Sequence, residues 1–292
     1  MQSEYMKGFL LTALGVIVLS FDALLIRLIE AHSFDLLFWR GLLLSAVVAL
    51  WCRITKPTLP LLSIDPAYIR SAVLFAVSAF CFVCAINLTS VANVLVIISA
   101  QPLFAALMAQ LFLGERSAPV TWVAIVVSVL AIVWVLLGSW NGIEMTGDLL
   151  AVICSLTLSA KFVNDRAVSH RDMTPALVLS GLMIALVCAV VGQPFALQGS
   201  DWPIMLLLCL FVVPVAFILI TLGPMRIPAA EVGMLMLLET AAGPFWVWLW
   251  LNEPPNSAAL QGGTVVIVTL FLHGLFRWRV DHLRAKKMHA GE

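Results

Sequence analysis

The sequence predicts an all-α integral membrane protein of ten transmembrane helices, arranged as two inverted five-helix repeats. Three observations carry that prediction. The 292 residues are 62% hydrophobic and only 11% charged, with a mean hydropathy of +1.07. Turn-like breaks divide the chain into ten apolar runs, and the second half echoes the order and spacing of the first. A soluble domain carries about a quarter charged residues, so this chain lacks the polar side chains to coat a globule in water. Its formal net charge is zero, which gives no reason to expect a nucleic-acid partner. The partners it does imply are the lipid bilayer and whatever small molecule crosses it.

The apolar runs cover residues 8–29, 34–52, 68–87, 91–113, 119–139, 147–165, 174–194, 202–222, 228–251 and 257–277. Each is close to the roughly 20 residues a helix needs to cross the hydrocarbon layer. Stretches such as EAHSFD, RITKPTLPLLSIDP, SWNGIEMTG and NEPPNS separate them, rich in the residues that end helices and make turns. In lipid only helices and closed barrels satisfy the backbone, and runs this long and uniformly apolar do not alternate as barrel strands do. The first run is too long for a cleaved leader, lacks a small-residue exit and ends in the polar LLIRLIEAHS; it is read as helix one.

Lysine and arginine set the expected orientation. With the N-terminus in the cytoplasm, every Lys and Arg except Arg27, Arg40 and Lys161 falls on the cytoplasmic side. That is the positive-inside bias, and it favours an even number of spans with both termini inside.

An offset of 139 lays GFLLTALGVIVLSFDALLIR over GDLLAVICSLTLSAKFVNDR, so that Gly8, Ser20 and Arg27 meet Gly147, Ser159 and Arg166. An offset of 138 lays residues 92–115 over 230–253, each beginning with Ala and ending with Glu, at Glu115 and Glu253. The expected organisation is a first repeat over 1–140, a second over 141–278, and a basic cytoplasmic tail over 279–292. Five spans per repeat is an odd number, so the second repeat enters the membrane from the opposite face. Inverted repeats of this kind place a transporter's site near the bilayer midplane.

The stretch LFLGERSAP at 111–119 and its echo LWLNEPPNSAALQGG at 251–263 carry a resemblance, together with SAQP at 99–102 and LFWRGLLLS at 37–45. With the five-plus-five layout, the chain resembles the EamA-type ten-helix carriers of the drug/metabolite transporter superfamily. Asn252 stands where that pattern has Gly, and Thr240 where it usually has proline. The resemblance implies a bacterial inner-membrane secondary transporter working by alternating access. Within it, the YddG-like exporters of aromatic and neutral amino acids are the favoured branch.

Glu239 is the only ionisable group in MLMLLETAAGPFWVWLWL, residues 234–251, and falls near the middle of span nine. A charge at the bilayer centre costs ~2.5–3.5 kcal/mol, so Glu239 is expected to face the interior, either to hold a substrate ammonium or exchange a proton, or to lock helices as a hydrogen-bonded acid. Gln101 is its equivalent in span four and is also compatible with plain helix packing. Asp22 and Lys161 are equivalent to each other and are read as guarding opposite mouths of one cavity. Trp246, Phe80 and Phe82 are deep aromatics that could stack on an apolar solute or simply pack. Helical spacing puts Gly243, Trp246 and Trp250 on the face of Glu239. Pro102, Gly243 and Pro244 are hinge candidates, since proline removes a helix hydrogen bond. Arg40, about two turns into span two, is read as interfacial, and Trp39, Trp51, Trp122, Trp140, Trp202 and Trp278 as interfacial anchors.

The six cysteines fall within or at the ends of apolar runs and read as small buried side chains; no metal or cofactor site is expected. His32, His170, His273, His282 and His289 are scattered without an HExxH pair, and no catalytic role is expected. An ion channel or pore is the competing reading, but the chain has no filter-like motif and no ring of acids. A membrane scaffold without transport activity leaves the midplane glutamate unexplained. Protons are candidate coupled ions, and the oligomeric state is open.

Overall fold

The computed structural model describes residues 2–114, 119–138, 143–193, 199, 201–255, 257–269 and 271–272. The tail expected over 279–292 lies outside them, as do Glu115, Arg116, Trp140 and Trp278. The described residues form helices and connections, with no strand among them.

Among the described residues, eight helices are long and apolar enough to cross a membrane. The first is α1 (Gln2–Leu19) continued by α2 (Asp22–Leu28). Next come α3 (Ser33–Thr55) and α4 (Pro66–Leu88). The fourth is α5 (Val91–Ile98) continued by α6 (Gln101–Leu113). After α7 (Pro119–Gly138) follow α8 (Ile143–Ala167) and α9 (Thr174–Val191). The seventh long helix joins α10 (Trp202–Leu206), a wide π turn at Leu207–Val212, and α11 (Val213–Thr221). The eighth is α12 (Ala229–Leu251). The two remaining expected spans fall on α7 and on α13 (Ser257–Thr269), whose continuous apolar stretches are shorter.

Local chemistry explains the boundaries. Asp65 caps α4 by accepting the Ala67 amide at 2.8 Å, and Ser90 caps α5 by accepting the Asn93 amide at 3.1 Å; both satisfy amides that the first turn leaves open. Pro102 sits in the first turn of α6, where its missing N–H costs nothing, so the chain breaks at Ser99–Ala100 and restarts. Pro214 follows the π turn of span eight, a widening that relieves the clash of a proline ring with the preceding turn. Pro244 lies inside α12 without interrupting it. Hydroxyls buried in lipid-facing helices bond back to their own turn, as Thr12 does to the Gly8 carbonyl at 2.8 Å.

Six helix pairs make the frame: α3 on α9, α4 on α8, α1 on α11, α4 on α9, α6 on α8 and α6 on α12. The α3–α9 contact is backbone on backbone. A Cβ on Gly41 would fall 2.6 Å from the Gly181 carbonyl, and one on Gly181 2.5 Å from the Gly41 carbonyl. Small residues at a crossing allow this approach, which dispersion then stabilises.

Polarity is distributed inside out. Leu14, Ile17, Val126, Leu186 and Val190 are exposed, whereas Asp22, Arg40, Lys161, Asp165 and Glu239 are buried. Water would penalise such a surface and lipid does not. One end of the bundle gathers basic residues. There Lys56 pairs with Asp172, Arg171 with Asp65 at 2.5 Å, and Arg70 donates to Asn164 at 3.2 Å. We call it the basic end. At the other end Arg27 reaches Glu253 at 3.4 Å.

Candidate functional site

A small cavity of about 30 Å³ lies where the N-terminal helices meet the C-terminal ones. Asp22 enters it from the first turn of α2, Arg40 from α3, Gln101 from the first turn of α6 and Glu239 from α12. Phe75 and Phe82 of α4 and Phe217 of α11 complete an aromatic wall. The breaks in spans one and four, at Ser20–Phe21 and Ser99–Ala100, fall directly beside Asp22 and Gln101. Membrane carriers commonly set broken helices at a binding site.

Arg40 is the correction to the sequence reading. It is not interfacial: only 3% of it is exposed, and it grips Asp22 through two parallel bonds, Nη1 to Oδ1 at 2.5 Å and Nη2 to Oδ2 at 2.7 Å. A fork matched to a carboxylate in this way is the strong form of ion pair, and desolvation of each charge is offset only because both are held.

Glu239 and Gln101 contrast with that pair. Glu239 is 4% exposed and makes no hydrogen bond among the described residues. Gln101 is wholly buried, and neither its Oε1 nor its Nε2 has a partner. Buried polar groups are nearly always satisfied, and each exception calls for an explanation. The chamber offers a carboxyl group, an amide with both donors and its acceptor free, a guanidinium and aromatic faces, around a space of roughly water size.

The other expected site residues lie elsewhere. Lys161 does not line the cavity. It is buried on the far side of Phe75, bonding Asp165 at 2.6 Å and Thr221 at 3.3 Å. Phe80 packs on Phe34 with ring centroids 5.7 Å apart. Trp246 stacks on Phe21 at 4.8 Å and donates its indole N–H to Ser20 at 3.2 Å, tying α12 to the break in span one. Trp250 points outward and is 63% exposed, so the helical spacing that grouped it with Glu239 overreached by a turn. Gly243 leaves room for Leu95, and Gly233 lets α12 lie on Pro102. Phe75, Phe217 and Asp165 escaped sequence reading altogether. Asp165 alone left a signal, four residues after Lys161, the spacing at which opposite charges meet on a helix.

No curated protein sequence matches the chain. Among the solved structures that match, a crystal structure superposes with a TM-score of 0.71 at 19% sequence identity, over 94% of this chain and 98% of that one. At that identity the likeness is one of fold. The model of the EamA-like transporter family matches twice, over residues 6–137 and 145–275, so the two halves that meet at the cavity are two copies of one unit. The chain belongs to the EamA-like transporter family.

Proposed function

We propose that the protein is a secondary transporter that exports small organic metabolites, with aromatic and neutral amino acids as the substrate class, by alternating access across a bacterial inner membrane. One observation carries this reading: Glu239, the unpartnered Gln101 amide and the Asp22–Arg40 pair converge on a single cavity between the two repeats. Glu239 meets the substrate ammonium, Gln101 and the guanidinium face of Arg40 meet its carboxylate, and Phe75 and Phe82 meet its side chain. The cavity is too small for an amino acid as it stands, so binding requires the repeats to separate around it.

The packing supports ten spans in two inverted halves, over 1–140 and 141–278. A two-fold axis in the membrane plane would pair spans two with seven and four with nine across itself, and exchange the one–eight contact with the three–six contact. Those are the α3–α9, α6–α12, α1–α11 and α4–α8 pairs. The cluster of Lys56, Arg70, Arg166 and Arg171 at one end supports cytoplasmic termini. Proton coupling through Glu239 follows from its position as the unpaired acid.

The test is reconstitution. Purified protein in liposomes is expected to move radiolabelled phenylalanine or leucine with saturation and to be slowed by unlabelled competitor. Conductance without saturation would indicate a pore instead, and a lack of any flux across a broad amino-acid panel would refute the substrate class.

A further inference from the structure

The buried Lys161–Asp165 pair is not used by the chamber, and stability does not account for it. An ion pair sealed in a protein is often matched or bettered by apolar side chains of the same size. Its surroundings point elsewhere. Lys161 of α8 bonds Thr221 of α11 at 3.3 Å, and Asp165 accepts the Ser71 hydroxyl of α4 at 2.7 Å. The pair thus links, through α8, two helices that come one from each family repeat.

One turn deeper on those same two helices lies a second contact. Phe75 is four residues beyond Ser71 on α4, and Phe217 four residues before Thr221 on α11, a spacing that stacks side chains on one helix face. The two rings meet edge to face, with centroids 4.6 Å apart and planes at 79°. Both line the chamber. On its other side Phe75 faces the ammonium of Lys161, 5.9 Å from the ring centroid. From Lys161 a chain of polar groups continues outward: Asp165 to Asn164 at 3.4 Å, and Asn164 to the exposed Arg70 at 3.2 Å. Phe75 thus lies against both the chamber and the first group of this polar track to the basic end.

We propose that these layers are the closure of the chamber at the basic end: a latch, Lys161–Asp165 holding Ser71 to Thr221, over a plug, Phe75 against Phe217. Opening breaks the bond from the latch to Thr221 and parts the rings, moving α4 together with α8 away from α11 while the Asp22–Arg40 pair stays intact. Lys161 is in this account a positioning residue and not a substrate ligand. The proposal rests on the transporter reading above, but its test does not require the substrate to be right.

Cys154 lines the chamber and is buried, which makes it a native reporter. With Cys52, Cys81, Cys84, Cys188 and Cys209 replaced by serine, its labelling by a membrane-impermeant maleimide is followed in vesicles with the basic end outermost, and in vesicles of opposite orientation. Losing hydrogen bonds to a charged group shifts an open–closed balance by about tenfold or more. Lys161→Met and Phe75→Ala should therefore accelerate labelling by that factor from the basic end and not from the other face. The double variant Lys161→Met/Asp165→Leu leaves no lone buried charge, folds without one, and should show the same acceleration. A folded double variant labelled within about twofold of the parent, or one accelerated equally from both faces, overturns the closure. Acceleration in a protein that moves no amino acid would sink the substrate assignment and leave the closure standing.

Discussion

Gln101 and Glu239 stand at equivalent positions of the two repeats, 138 residues apart, and face the same cavity from α6 and α12. The Gln101 amide has no hydrogen-bond partner although it is wholly buried, and the Glu239 carboxyl is 4% exposed. The two family matches thus bring their most polar midpoints to one space.

Replacing Glu239 with Gln keeps the shape and removes the charge and the titrating group. A hydrogen bond to a charged partner is worth ~1.5–3 kcal/mol, so uptake of a zwitterionic amino acid at limiting concentration should fall about ten- to a hundredfold. The pH dependence of uptake should flatten with it. Initial rates in liposomes between pH 5.5 and pH 8 (on the order of the physiological range) check both outcomes.

Arg40 and Asp22 should behave as a unit. Removing one partner of a buried pair costs about 3–5 kcal/mol, because the survivor is left charged and unpaired. Arg40→Leu and Asp22→Leu should each lower the thermal unfolding midpoint in detergent sharply. The double variant should recover most of the loss. Additive losses would show that the pair is not the source of the stability.

The crossing of α3 and α9 leaves no room for a side chain. A methyl group on Gly181 would lie 2.5 Å from the Gly41 carbonyl, and overpacking costs about 1–3 kcal/mol. Gly181→Ala should lower the unfolding midpoint by that order, and Gly181→Leu by more. Gly199→Ala, where nothing lies within 4 Å, should do neither.

At the basic end, the Ala67 amide, and after it the Arg171 guanidinium, hold the Asp65 carboxyl below the usual carboxylate range. A group whose pKa falls on folding stabilises the fold above its unfolded value, about 3.9 for Asp, and loses that contribution as pH drops through the lowered one. Asp65→Ala should therefore reduce the unfolding midpoint at neutral pH, and the gap to the parent should close in acid. A gap that stays constant down to the lowest pH would contradict the pairing.

Much of the fold is legible in the sequence because lipid imposes one requirement on every span: about 20 apolar residues with a satisfied backbone. Glu239 stands out by the same rule, as a lone acid in eighteen residues. Arg40 does not, since two turns from a span end an arginine with a long stem reads as an interfacial anchor, and only the facing Asp22 reveals its burial. Depth along the chain also cannot tell Phe82, which lines the cavity, from Phe80, which packs on Phe34; two residues apart on a helix they point in different directions. Lys161 is deep, as its sequence position implies, but Phe75 screens it from the chamber, a relation between helices that no repeat alignment contains.

In the proposed transporter both repeats contribute binding groups to one shared chamber. Equilibrium binding of labelled phenylalanine to the purified protein tests it most directly, in the parent and in Gln101→Ala and Glu239→Gln, one variant from each repeat. Saturable binding weakened about tenfold or more in both variants, each still folded by its thermal midpoint, is the expected result. Binding of undiminished strength in either variant would show that its repeat adds nothing to the site, and would contradict the account.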